Sequence, residues 1–167
     1  MGVEELLDDD AFDPKKLFDE KQYSTLIINR EGFDKKQNSI ADLLEALLDD
    51  RNTRQENESL FAKLKELNAQ QMLVDAVEAA ENTADKIKLL AACWESCLDF
   101  TPHFPFFVKL VCHPDFGVAL EALSVVESCE GQIDELILAD ALLTVQSLPE
   151  KPHELVDDLV ANIKQRI

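Results

Sequence analysis

The stretch FGVALEALSVVESCEGQIDELILADALLTVQSL, Phe116–Leu148, decides the fold class. In its first half Val118, Ala119, Ala122, Leu123, Val125, Val126 and Cys129 recur at helical spacing, leaving a narrow polar arc of Glu121, Ser124, Glu127 and Ser128. The second half, 133–148, is similarly apolar around its circumference, and Gly131 separates the two. Helices wetted so little have to be sandwiched between others. The stretch therefore predicts an all-α protein with an inner and an outer set of helices.

The rest of the chain agrees with that reading. Its 167 residues suit a single domain that buries about 70% of the surface of its unfolded form. Four glycines and six prolines leave little material for linkers. Leu, Ala, Glu, Asp and Lys are abundant while Thr and Tyr are few, a bias toward helix. Thr53 and Glu56 have the form of a capping box, Asn82 stands three residues before Asp85, and Thr101–Pro102 and Lys151–Pro152 mark further starts. Gly131 and Pro149 mark stops. Helices are expected near 39–51, 54–68, 70–81, 83–99, 103–113, 116–130, 133–148 and 152–166, within one helical core over 39–167. Outer helices show one apolar face each: Ile40, Leu43, Leu44, Leu47 and Leu48 in the first, and Leu155, Val156, Leu159, Val160 and Ile163 in the last. In 83–99 the stripe Ile87, Leu90, Ala91, Trp94 and Leu98 places the single tryptophan inside. Residues 1–38 read as an irregular or frayed segment, with a helix from Asp13–Pro14 to about Asn29 across the β-branched run Tyr23–Ile28. The acidic run Asp8–Asp13 lacks the glycine and ligand order of a calcium loop.

An internal repeat emerges when 64–98 is laid on 110–145. At an offset of 46, Leu64 meets Leu110, Met72 meets Val118, Ala76 meets Ala122 and Ala80 meets Val126; Asp85–Lys86–Ile87 meets Asp134–Glu135–Leu136 at 49. This period, with alanine at close-approach positions, resembles HEAT and armadillo repeats. The resemblance implies a right-handed stack of eight or nine helices in antiparallel hairpins, and an interaction scaffold rather than an enzyme. An irregular helical bundle is the alternative architecture.

Charge narrows the partners. The formal net charge is −18, and 114–167 carries 11 acids against 3 bases. Such a field repels nucleic acid and anionic membrane surfaces. No apolar run approaches the ~20 residues of a membrane span, and the N-terminus lacks a basic, apolar export signal, so a cytoplasmic protein is expected. Between Lys109 and Lys151 there is no Lys or Arg, while Glu121, Glu127, Glu130, Asp134, Glu135 and Asp140 fall there. One reading of these acids is a solvated face that maintains solubility; the other is a groove for a basic peptide or protein.

Residues 93–113 concentrate three cysteines, two histidines and four phenylalanines. Cys93 and Cys97 share a helix face, and Cys112, His103 or His113 would complete a zinc set only by converging. Both cysteines continue the apolar face, however, so core packing is the expectation, with no metal and no cofactor. Phe104, Phe106 and Phe107 are expected to fasten a helix corner together with Phe100 and Phe116, or else to form an exposed anchor for a partner. Serine-triad arrangements, phosphate-cradling glycine loops and HExxH are missing from the sequence. The expected function is accordingly non-enzymatic: binding of a protein partner, with a basic segment the first choice, through the acidic helical surface. A metal-binding or redox-sensing domain using the cysteines, and a small-molecule-binding bundle, are the alternatives from other classes.

Overall fold

The computed structural model describes residues 40–167; the expectations for 1–38 lie outside the described residues. Among the described residues there are eight α-helices and no strand. They are α1 (40–47), α2 (Arg54–Glu66), α3 (Gln70–Ala79), α4 (Thr83–Glu95), α5 (Phe104–Val111), α6 (Phe116–Ser128), α7 (Glu135–Gln146) and α8 (Leu155–Arg166). A 3-10 turn, Thr101–His103, leads into α5.

Local chemistry sets the ends. The Thr53 capping box forms: Glu56 N–H donates to Thr53 Oγ1 at 3.2 Å, and Thr53 N–H donates to Glu56 Oε2 at 2.8 Å. Asn82 Oδ1 accepts from Asp85 N–H at 2.8 Å. Asp115 and Asp134 cap α6 and α7 in the same way, through Val118 N–H and Leu136 N–H. At the other end of α2, Asn68 takes a left-handed φ of 49°, and Ala69 N–H reaches back to the Leu64 carbonyl, closing the helix. The final helix starts at Leu155, three residues beyond Pro152, with Lys151 ion-paired to Asp157 across the intervening turn.

The sandwiched helix is α6. It packs chiefly on α4 and α5 and also on α8, and Val118, Ala119, Ala122, Leu123, Val125 and Val126 are all buried. Beyond α4 lies α3, and α7 packs on α8 and α5. The α4–α6 contact is close, since a Cβ on Gly117 of α6 would lie 2.7 Å from Ile87 Cδ1 of α4. The buried face of α4 carries Leu89, Leu90, Ala92 and Cys93, with Ser96 just past its end. Trp94, one residue and about 100° further round, points to the surface and is 38% exposed. The expectation of an interior tryptophan is thus overturned: the indole lies at the edge of the α4–α6 contact, where its N–H reaches Glu121 on α6, and not within it.

A second correction concerns α7. Only Leu138, Ala141 and Val145 are buried, while Leu136 is 79% and Leu143 66% exposed. It is an outer helix with apolar residues on its open face, because its packing partners α5 and α8 cover one side only.

The phenylalanine corner forms around Phe100, Phe104 and Phe107, all fully buried, with Phe107 meeting Phe100 and Phe106 edge-on at 5.3 and 5.1 Å. Phe116 lies outside it, about half exposed and edge-on to His153. Gly131 does not stop α6 by a left-handed turn, since no glycine has positive φ among the described residues. It is required by proximity instead: a Cβ there would lie 2.6 Å from Thr101 Oγ1, which accepts the Gly131 N–H at 3.2 Å.

What finishes α6 is Arg166. Its Nη1 donates to the Cys129 carbonyl at 2.7 Å, Nη2 to the Val126 carbonyl at 2.9 Å, and Nε to Asn162 at 2.8 Å, with the guanidinium over the Phe104 ring at 5.6 Å. The cation satisfies orphan carbonyls and complements the negative end of the helix dipole. Arg166→Ala is expected to cost about 2–3 kcal/mol in denaturant unfolding, and Arg166→Lys to recover only part of it, because an ammonium lacks the planar fork. Equal stability of wild type and Arg166→Ala would remove this clamp from the fold.

Candidate functional site

The exposed surface at the end of α4, along its edge with α6, centres on Trp94. Its indole Nε1–H donates to Glu121 Oε2 on α6 at 2.7 Å, which orients the ring. Just beyond it α4 ends: Ser96 is the C-cap, its Oγ donating to the Cys93 carbonyl at 3.0 Å, and Cys97 follows with φ of 55°. A cysteine in the left-handed region costs roughly 1–2 kcal/mol relative to glycine. That turn sends Leu98 and Phe100 into the core and leaves the Cys97 side chain outside.

Three depressions meet along this surface. One, of about 770 Å³, is lined by Arg54, Asn57, Glu58, Phe61, Trp94, Glu95 and Cys97. A second, of about 370 Å³, shares Trp94 and Cys97 and adds Leu98, Asp99, Ser128, Glu130 and Gly131. The third, of about 550 Å³, shares Glu130 and Gly131 and continues through Gln132, Ile133, Asp134, Glu135 and Leu138 to Arg166. The shared residues make one groove, with Glu58, Glu95, Asp99, Glu130, Asp134 and Glu135 along it. Its two cations are engaged: Arg54 Nε bonds Glu58 at 3.1 Å, and Arg166 is held by the carbonyls it caps.

The acids are not equivalent. Burial is the first cause, and Glu121 the second, of a Glu95 pKa raised above its ordinary 4.5, with Arg54 acting in the opposite sense. Asp99 is shifted down by the Thr101 hydroxyl and N–H that it accepts. Since Thr101 also takes the Gly131 N–H, these bonds tie the Asp99 loop to the Gly131 loop and shape the middle of the groove.

Of the residues singled out by sequence, the structure brings Glu130, Asp134 and Glu135 into the groove and sets Glu121 behind Trp94. Glu127 and Asp140 are exposed on α6 and α7 and line none of the three depressions. Phe104 and Phe107 are fully buried, so a partner has no access to them, and Phe106 is half-buried; the exposed-anchor reading is corrected to core for the first two. Sequence reading missed Glu58, Phe61, Trp94, Glu95 and Asp99. Nothing in the spacing of Trp94 distinguishes it from the buried Leu90 and Leu98 of the same stripe.

The cysteines are scattered. Cys93 and Cys129 are buried, Cys112 is half-buried and Cys97 exposed, all as free thiols. Burial pushes the Cys93 thiol up strongly and the Cys129 thiol up to about 11, which opposes the thiolate that metal binding or nucleophilic attack needs. Among the described residues no three His, Cys, Asp or Glu side chains are grouped to hold a metal ion, and no helix is long and apolar enough to cross a membrane. Comparison with protein-family models, curated proteins and solved structures returns no match, so function has to be argued from this geometry.

Two measurements test the site. Trp94 is the sole tryptophan, and acrylamide and caesium ions should quench its emission readily while iodide, repelled by the surrounding carboxylates, should not. A blue-shifted emission inaccessible to acrylamide would return Trp94 to the core. For Glu95 the raised folded-state pKa means that the folded protein holds this proton more tightly than the unfolded chain. Its penalty is therefore absent in acid and develops as pH rises through the folded value. Glu95→Gln should raise the thermal midpoint at neutral pH and leave it unchanged below the ordinary carboxylate range.

Proposed function

We propose that this chain is a non-enzymatic interaction module that binds a basic segment of a protein partner along the groove running past Trp94. The observation that carries the proposal is the continuity of the groove: three depressions joined by Trp94, Cys97, Glu130 and Gly131, with six carboxylates along them and both cations already engaged. An extended or helical segment rich in Lys and Arg matches such a surface in charge, and charge attraction accelerates encounter more than it adds affinity. The aromatic centre supplies what charge alone does not, a partly desolvated contact that salt leaves in place. A helical-repeat architecture like that of HEAT and armadillo units belongs to the same proposal, supported by the 46-residue offset between 64–80 and 110–126. Action in the cytoplasm is likewise proposed.

Capture of basic partners from the native cell, repeated across a salt series, tests this reading. Binding should weaken markedly as salt shortens the Debye length from ~10 Å at 0.1 M toward ~3 Å at 1 M. Glu130→Lys combined with Glu135→Lys should cost about tenfold in affinity at low salt, mainly through slower association, because both side chains are exposed at the groove and neither caps a helix. Salt-insensitive capture, or full affinity in that double variant, would place the interface elsewhere.

A further inference from the structure

We infer that the cleft between α2 and the end of α4, formed by Phe61 and Trp94 with Glu58 and Glu95, is an anchor site for one arginine side chain of the partner. This deepens the proposed function and rests on it, since it names the residue by which the basic segment is held. The cleft, at about 770 Å³, has room for a long side chain and is the one depression of the groove that offers two aromatic rings as well as carboxylates.

Each component suits a guanidinium. Tryptophan is the aromatic residue that attracts cations most strongly, and Trp94 is fixed from behind by Glu121. Glu58 and Glu95 supply the carboxylates that a planar guanidinium binds in forked geometry. The protein's own Arg54 bonds Glu58 at the rim, so this chemistry is already present there; with a side chain 93% exposed, that pair is weak and readily displaced. Glu95 supplies a reason for an arriving cation to be welcome. Burial and its neighbour Glu121 both disfavour its charge, and a guanidinium in the cleft offsets both.

Lysine is the poorer fit. Its ammonium is more strongly hydrated and does not stack, so it surrenders more on entering an aromatic cleft. An apolar anchor fits worse still, because it would take further water from Glu95 without compensating the charge.

The test uses the full chain and a short blocked peptide carrying one arginine among lysines, with versions in which that arginine is replaced by lysine or by citrulline, its neutral isostere. Calorimetry measures affinity while the emission of Trp94 reports occupancy of the cleft. The arginine peptide should change that emission saturably, lysine at the same place should weaken binding about threefold and citrulline about tenfold. Glu95→Gln should weaken the arginine peptide about fivefold, and Arg54→Ala should tighten it by a similar factor by freeing Glu58. Both variants change surface groups, and their thermal midpoints verify folding. Equal affinity of the arginine and citrulline peptides, or calorimetric binding that leaves Trp94 emission unchanged, would overturn the arginine anchor while leaving the acidic groove standing. No binding of any of the peptides would overturn both.

Discussion

The close packing of α6 against α4 is the constraint on which the rest of the structure depends. α4 meets α6 through Ile87, which stands where a side chain on Gly117 would lie, and through Trp94, which bonds Glu121, while Ala119 and Ala122 are buried on α6 and Ala92 and Cys93 on α4. Around that contact the larger residues of α6, Val118, Leu123, Val125 and Val126, are buried, each contributing about 1.5–3 kcal/mol over leaving it exposed. A helix with so little polar surface cannot end freely in solvent-poor surroundings. Its first turn is capped by Asp115, and its last carbonyls are taken by Arg166 from the far end of the chain. The terminal helix is thereby locked to the central one by a polar contact as well as by the burial of Leu155, Val156, Leu159 and Ile163.

The same contact decides what the surface displays. Ala92 and Cys93 are buried, and Trp94, the next position round the helix, comes to the surface at the edge of α6, where it meets Glu121. The chain then has to leave α4 in a tight turn to bring Leu98 and Phe100 back to the core, and Cys97 adopts its left-handed backbone there. The exposed indole and the left-handed cysteine both lie where α4 runs out at the edge of α6.

Much of the fold was legible in the sequence because it is written locally. The Thr53 and Asn82 caps operate within four residues, and the near-continuous apolar circumference of 116–130 announces a sandwiched helix whatever its neighbours are. Misreadings arose where the answer depends on which neighbour is present. By periodicity alone Trp94 continues the stripe through Leu90 and Leu98, and only tertiary packing puts it at the exposed edge of the α4–α6 contact. Leu136 and Leu143 give α7 the same apolar count as a sandwiched helix, yet nothing in their spacing says that one side lacks a cover. Gly131 followed an apolar run and read as a helix stop, whereas its role is set by Thr101, thirty residues away. The groove was the least legible feature, since Glu58, Glu95 and Glu130 come from three separate elements and meet only through tertiary packing.

Judged by stability alone, the surroundings of Trp94 are a poor arrangement. A large aromatic ring is left partly in water, a carboxylate is held where burial and a second carboxylate oppose its charge, and the nearest cation is tied to a different acid. The first two would be relieved by a simple substitution, a polar residue for Trp94 or glutamine for Glu95, and glycine for Cys97 would relieve the left-handed backbone beside them. Trp94 and Glu95 meet α6 at Glu121 on the edge of the α4–α6 contact, and none of the three side chains is buried within it. The core therefore does not require this local frustration. Departures from the stable choice that lie together along one groove, while the helix caps and the central packing obey the rules closely, fit the binding function proposed for it. A guanidinium on the proposed partner, flat, cationic and able to cover an indole, would relieve the exposure of Trp94 and the charge of Glu95 together.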